Sequence, residues 1–401
     1  MTARLVAGLD IGSTKTCAVI AEVVGDGADA VLKVLGVGEV GSAGMRREVV
    51  TDLEETTESV RGALKEAELM AGANVERLHV GIAGRHIDAN SSAGIVAVGG
   101  EEIGDSDVER VQEVARAVVV PGDRELLHAL PQEYIVDHQG GIRDPRGMVG
   151  TRLETEVYLI TAEASACQNL RKAVSRAGYV VEALVHEPIA ASRAVLTEDE
   201  REIGVALVDL GGGTTEVAVY RDGRIKRLCT VPLGGGVVTA DLVKGLALPF
   251  HEAERAKRQH GVAFAQLVDP RESVELPGPG PEGKRSVSRE LIAHIVEQRL
   301  DEILNLVADE IAVEEGETLG AGVVLSGGGA TLDGTVEVAQ HAFGMPVRVG
   351  APGSRLSGLA DSVRRPKFAT AVGLALHGAD TGAAADGGAI GRVMTWIREF
   401  F

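Results

Sequence analysis

Two stretches about half a chain apart share one build. Residues 5–20 read LVAGLDIGSTKTCAVI and residues 204–220 read GVALVDLGGGTTEVAVY. In each, an apolar run of strand character ends on a carboxylate, Asp10 or Asp209, and a second apolar strand follows a glycine- and hydroxyl-bearing turn. Aligning the aspartates superposes Gly12 on Gly211 and Thr16 on Thr215. Without a Cβ, Gly211, Gly212 and Gly213 let a phosphate approach the backbone N–H groups, and the Thr214 and Thr215 hydroxyls add donors. Asp209 would repel phosphate, so it suits a hydrated Mg²⁺ that bridges to phosphate oxygens. Taken singly, such a motif reads equally well as a glycine-rich hairpin whose Asp caps the turn. The repeat favours two similar subdomains, each presenting a hairpin to one nucleotide across a cleft, with Ser13, Thr14 and Lys15 gripping the terminal phosphates. Lys15 is not a Walker lysine, because the GxxxxGK[ST] spacing is absent.

A net charge of −19 argues against nucleic acid as a partner, since that work needs clustered Lys and Arg. The 401 residues, 45% of them hydrophobic, allow two or more domains with proper cores. Cys17, Cys167 and Cys229 have no metal-binding spacing and cannot all pair, which fits a reducing, cytoplasmic setting. Arg4 and Asp10 interrupt the first apolar run, so no signal segment is expected, and no stretch of about 18 apolar residues exists to span a bilayer.

Periodicity predicts a helix over 52–71, opened by Thr51 or Asp52, and a short buried strand over 78–83. From Gly84 the pattern changes to two alternating stretches, a helix over 106–118 and a loop-rich segment, an inserted subdomain bounded by strands of the first half. A helix over 164–177 and a strand over 179–184 lead to EPIAASRAVL, which begins at Glu187 with Pro188 at the first helical position. That helix and residues 368–376, FATAVGLAL, are rich in small residues and could meet at the cleft floor as hinge elements, or simply pack through Ala. Two helices are expected within 237–261, where Glu254 and Lys257 share a face and read as an exposed ion pair. Residues 276–284, LPGPGPEGK, suit a surface loop. Residues 288–311 suit a long helix with Leu291, Ile295, Ile303 and Leu306 on one face. In GVVLSGGGATLDG, residues 322–334, a strand runs into Gly327, Gly328 and Gly329 and then a helix start whose N–H groups could meet an α-phosphate or ribose.

The paired DIGSTKT and DLGGGTT hairpins, the later LSGGGATLDG and the two small-residue helices resemble the actin and sugar-kinase fold. This is an α/β, ribonuclease H-like duplicated architecture of two lobes around a cleft. The stretches AGRHIDANSSAG, LLHALPQEYIVD and GIRDPRGMVGTRLE are similar to the FtsA family of bacterial cell-division proteins. That resemblance covers nearly the whole chain. It implies a first actin-like subdomain at 1–84 and 162–200, an inserted subdomain at 85–161, a second actin-like subdomain at 201–233 and 312–376, and a further subdomain at 234–311. It also implies ATP and Mg²⁺ as cofactors, with Asp10 and Asp209 organising the metal and Gly12 to Lys15 and Gly211 to Thr215 the phosphates. Gly327 to Gly329 would take the α-phosphate and adenosine. Glu254 and Lys257 match an adenosine-contacting helix of chaperone relatives, and Glu187 stands where the superfamily often carries its water-orienting residue. Family members are slow ATPases at most, so binding is expected more firmly than turnover.

The implied role is a polymerising adaptor at the cytoplasmic face of the cell membrane at the division septum. Its expected partners are the C-terminal peptide of FtsZ, further copies of itself and other division proteins. Arg299 is a candidate contact for that peptide, although pairing with Glu302 explains it equally well. A small-molecule kinase, a chaperone-type ATPase or a pilus-assembly protein of the same fold is the alternative. The kinase would need a sugar pocket and the chaperone a substrate domain, and the sequence offers neither. Residues 377–388, HGADTGAAADGG, read as a flexible linker. Beyond it, residues 389–401 put Ile390, Val393, Met394, Trp396, Ile397, Phe400 and Phe401 on one helical face, opposite Arg392 and Glu399. The segment is too short to cross a bilayer and suits an interfacial membrane helix, or else a helix docked on the protein itself.

Overall fold

The computed structural model describes residues 4–25, 30–117, 120–278, 283–312, 318–353 and 355–385. The expected membrane helix at 389–401 lies outside these. The described chain forms two compact units, residues 4–84 with 172–385, and residues 85–171.

The larger unit holds two sheets of one plan. In the first, Arg4–Ile11, Lys15–Val24 and Val31–Gly41 form an antiparallel meander, and Arg77–Ile82 and Val180–His186 extend the free edge of Arg4–Ile11 in parallel. In the second, Val205–Leu210, Thr215–Arg221 and Arg224–Val231 repeat the meander, and Val323–Ser326 and Val347–Val349 repeat the parallel edge. The duplication first visible in two hairpins therefore extends to whole sheets. Leu9, Ile11, Leu207 and Val208 are fully buried. Their strands are covered on both faces, which is why they read as near-continuous apolar runs. Helix Leu53–Ala71 starts at Asp52, whose side chain accepts from the Glu54 and Glu55 amides, and ends at a left-handed Gly72.

Two assignments made from sequence change. Leu356–Gly358, expected in the second lobe, pairs in parallel with Val31–Gly41 of the first sheet. The linker expected over 377–388 is also corrected, because helix Ala369–Ala385 runs into it as far as Ala385, and residues 386–388 lie outside the described residues. His377 is buried, Arg4 donates to Gly378 O at 2.7 Å and to Ala379 O at 3.0 Å, and Asp380 pairs with Arg193 at 2.8 Å and Arg355 at 2.7 Å. Within this stretch a Cβ on Gly378 would lie 2.6 Å from His79 Nδ1, so a small residue that looks like part of a tether in sequence allows close packing. A Cβ on Gly8 would lie 2.2 Å from Ala371 O, and one on Gly373 would lie 1.8 Å from Ala190 O of helix Glu187–Val195. The two small-residue helices do approach backbone to backbone.

Helices Gly235–Leu246, Phe250–His260 and Arg289–Ile311, with hairpin Ser273–Pro277 and Lys284–Ser288, complete this unit. The long helix buries Ile292, Val296, Leu300, Ile303, Val307 and Ile311, whereas Leu291 and Leu306 are exposed. The expected face was rotated, because apolar residues occur around much of this helix and periodicity alone cannot select among them.

In the smaller unit, Ile87–Ala97, Arg152–Glu163, Arg124–Val136 and Gln139–Ile142 lie side by side in an antiparallel sheet. Helix Asp105–Arg116 contributes Val108 and Val111 to a core with Ile103, Tyr134, Val136 and Leu153. Strand Arg152–Glu163 runs past the boundary expected at 161.

The helix contact makes a prediction whose sign is informative. Ala exceeds Gly in helix propensity by about 1 kcal/mol, but at position 373 its methyl would meet the Ala190 carbonyl. Gly373→Ala is expected to lower stability by about 1–3 kcal/mol. A chemical-denaturation midpoint at or above the parent's would disprove the close contact.

Candidate functional site

Asp10 and Asp209 stand near the ends of equivalent central strands, and the two turns that follow them touch. A Cβ on Gly212 would lie 2.4 Å from Thr14 Oγ1, and one on Gly213 would lie 2.4 Å from Ser13 Oγ. The Gly12 N–H donates to Lys15 O at 3.0 Å, which closes the first turn. Lys15 Nζ donates to Asp10 Oδ2 at 2.7 Å, so its ammonium already has a carboxylate partner. Behind the second turn, the Gly235 and Gly236 N–H groups donate to Gly211 O and Gly212 O at 2.9 and 2.8 Å. This glycine run at 234–236 escaped sequence reading, although its GGG was as visible as the others. A Cβ on Gly234 would lie 2.6 Å from Gly211 O, so the helix start must be bare to support the turn.

Thr215 corrects an expectation. It is fully buried and its hydroxyl donates to Leu233 O at 2.8 Å, so it ties down the strand start. Thr214 is also buried. Gly327, at φ +81°, faces Asp209, where a Cβ would lie 2.2 Å from Oδ1. Gly329 abuts Leu210, while the space at Gly328 is open. The expected helix start at these glycines is a single 3₁₀ turn, Gly329–Thr331, and the helix proper is Thr335–Phe343. Capping by the left-handed Gly334 delays it.

Lys257 is buried, donating to Gly235 O at 2.9 Å and Thr239 Oγ1 at 2.8 Å while pairing with Glu254 at 2.7 Å. The exposed-pair reading therefore fails for Lys257, which buttresses the glycine run; burial lowers its pKa, against the opposing pull of Glu254. Arg299 pairs with Asp241 at 2.5 Å and also with Glu302, and the Asp241 hydrogen bond raises its pKa.

The meeting point of the two turns gathers more carboxylates than the motifs announced. Asp10, Glu187 and Asp209 are joined by Glu48 and Glu216, which no sequence signal singled out. Burial and the charge of Asp10 push Asp209 up to about 6, against Lys15 and a Thr370 hydroxyl at 3.3 Å. Burial pushes Glu216 up to about 8, helped by Glu48 and Asp209, although the Thr230 hydroxyl donates to it at 2.6 Å. Glu48 rises to about 7 through burial and the charges of Asp10 and Asp209, opposed by hydrogen bonds with Ser13. Glu187 lies well above the carboxylate range through burial and all four neighbours. Such mutual repulsion suits a cation. Among the described residues no three His, Cys, Asp or Glu side chains converge tightly enough to hold a metal alone.

A family model for cell division protein FtsA matches residues 206–373, and a model for the SHS2 domain inserted in FtsA matches residues 84–161. The cell division protein FtsA of Pseudomonas aeruginosa is 42% identical, covering 94% of this chain and 89% of the relative. The chain belongs to the FtsA family. The FtsA proteins of Neisseria meningitidis and Escherichia coli K12, at 39% and 38% identity, match over 99% of this chain and 99% and 98% of theirs. Solved structures confirm the actin-like fold. A PilM–PilN type IV pilus biogenesis complex matches at TM-score 0.63 and 18% identity, over 93% of this chain and 98% of that one. MreB5 of Spiroplasma citri bound to ADP matches at 0.56 and 14%, over 96% and 99%, and a MamK double helical filament at 0.54 and 15%, over 94% and 98%. FtsA membership sets aside the kinase, chaperone and pilus-assembly alternatives. The insert at 85–161 corresponds to the FtsA-type SHS2 domain.

The raised carboxylates dictate a pH response. Glu48 and Glu216 take up protons more readily in the folded chain than at their ordinary value of 4.5. Between about pH 4.5 and 7–8 the folded state therefore binds more protons than the unfolded one, and their burial costs more stability as pH rises. Glu216→Gln is expected to flatten this decline and to raise nucleotide-free stability at pH 8 by about 1–3 kcal/mol. Denaturation series from pH 5 to 8 check it, and parallel curves for parent and variant would contradict it.

Proposed function

We propose that this FtsA-family protein binds ATP with Mg²⁺ between its two glycine hairpins and, in that state, polymerises to tether FtsZ filaments to the cytoplasmic face of the cell membrane at the division septum. The observation that carries the nucleotide part is the meeting of the two hairpin turns beside a cluster of charge-strained carboxylates. In this reading Asp10 and Asp209 hold the hydrated metal, and Gly12 to Lys15, Gly211 to Gly213 and Thr214 surround the phosphates. Gly327 to Gly329 and the Glu254 side of its helix face the α-phosphate and adenosine. Bound Mg²⁺ would supply positive charge to phosphate oxygens, and Glu187 would orient water for a slow hydrolysis. The FtsZ tail is assigned to residues 234–311. An acidic tail reaching Arg299 must compete there with Asp241 and Glu302. Family membership supports filament formation and contacts with other division proteins as part of this reading.

Asp209→Ala is expected to weaken Mg²⁺–ATP binding by about 1.5–3 kcal/mol, the worth of a charge-assisted contact. Calorimetry reads this directly, and unchanged affinity would remove Asp209 from the metal site. Glu187→Ala should bind ATP as the parent does but lose whatever hydrolysis exists. A parent-like rate would leave it a structural role.

The membrane part rests on the apolar face that the sequence of residues 389–401 offers as a helix, which includes Trp396. Deleting the residues after 388, or Trp396→Glu, is expected to abolish co-flotation with liposomes while ATP binding persists. A truncated chain that still floats would refute the anchor.

A further inference from the structure

Met45–Arg46 pairs with Val49–Val50 in a short antiparallel hairpin. Its turn residues, Arg47 and Glu48, both adopt left-handed φ, +48° and +61°. Such a two-residue turn ordinarily takes Asn or Gly, because a Cβ is disfavoured there. The strain delivers one side chain inward. Arg46, Arg47 and Val49 are exposed, whereas Glu48 is 7% exposed.

Glu48 meets the first glycine turn. Ser13 Oγ donates to Glu48 Oε1 at 2.9 Å, the Ser13 N–H reaches the same oxygen at 3.3 Å, and the Glu48 N–H donates to Ser13 Oγ at 3.1 Å. Both donors that Ser13 would offer a phosphate are thus engaged by another oxyanion. The hairpin tip also reaches the second turn, where a Cβ on Gly213 would lie 3.1 Å from Arg47 Cα. A strained turn, a buried carboxylate beside Asp10 and Asp209, and occupied phosphate donors each carry a cost that coincides at one place.

We propose that the 45–50 hairpin is a latch: without nucleotide, Glu48 stands in for a phosphate oxygen on Ser13, and a nucleoside polyphosphate binds by displacing it. The inference rests on the nucleotide site proposed above. Carboxylate and phosphate cannot share the Ser13 donors, because each is an acceptor and like charges repel. Eviction releases the Glu48 amide from Ser13 and relieves the turn, so occupancy of the site becomes a change in the hairpin.

Calorimetry with Mg²⁺–ATP on the full chain, with Glu48→Ala, Glu48→Gln and Asp209→Ala beside it, tests the latch. Glu48→Ala is expected to bind roughly tenfold tighter or more. Glu48→Gln keeps an acceptor for Ser13 but loses the charge, and falls between. Hydrogen exchange of the parent should show the Glu48 amide exchanging faster once Mg²⁺–ATP is added. Unchanged or weaker binding in both Glu48 variants, each still unfolding cooperatively, would overturn the latch, as would greater protection of residues 45–50 with ATP. If the parent binds and Asp209→Ala does not, while the Glu48 variants match the parent, only the latch fails. If no folded form binds ATP, the nucleotide reading fails and the latch with it. Binding by Glu48→Ala alone would support both.

Discussion

The architecture of the larger unit depends on a contact that only hydrogen atoms permit. Helix Ala369–Ala385 reaches the backbone of strand Arg4–Ile11 at Gly8 and the backbone of helix Glu187–Val195 at Gly373. From its first turn, Thr370 donates to Asp209 of the second sheet. From its later turns, Asp380 pairs with Arg193 and Arg355. One element therefore touches the acidic end of the second central strand and the body of the first lobe. The two glycine turns meet beside that acidic end.

That approach concentrates charge. Asp10, Glu48, Glu187, Asp209 and Glu216 act on one another in a buried setting, with Lys15 and the hydroxyls of Ser13, Thr230 and Thr370 as compensation. A sequence selected for stability alone would avoid this, since each buried carboxylate is either ionised at a cost or protonated. Sites that violate local rules in this way are where function resides. The chain's fold neighbours share its architecture at 14–18% identity, so the fold by itself leaves function open, while the FtsA relatives share both lobes and the insert.

The duplicated strand–Asp–turn–strand pattern was legible because each unit is local: an apolar run, a carboxylate and glycines within a dozen or so residues. The inserted unit after Gly84 and a helix opening at Thr51 or Asp52 were legible for the same reason, whereas the repeat of whole sheets emerged only from the strand pairing. Glu48 and Glu216 were not, because nothing in MRREVV or TTEVAVY marks a glutamate as buried until the register of Thr215–Arg221 and the turn at 47–48 place them. Lys257 reads by spacing as half of a surface pair and by resemblance as an adenosine contact, and only the packing of its helix against the Gly235 turn shows the ammonium enclosed.

The same division applies to the glycine-rich end of the described chain. Local composition alone favoured a tether over 377–388, since Gly and Ala carry little side chain to bury, yet the helix continues through Ala385 because small residues are what a close-packed helix needs. Sequence by itself determined the elements whose cause is a short-range pattern of apolar, turn and capping residues. Tertiary structure decided which face of Arg289–Ile311 is buried, which strand completes the first sheet and which carboxylates share the cleft. Those outcomes depend on contacts between residues far apart in the chain, whose energies no local window contains.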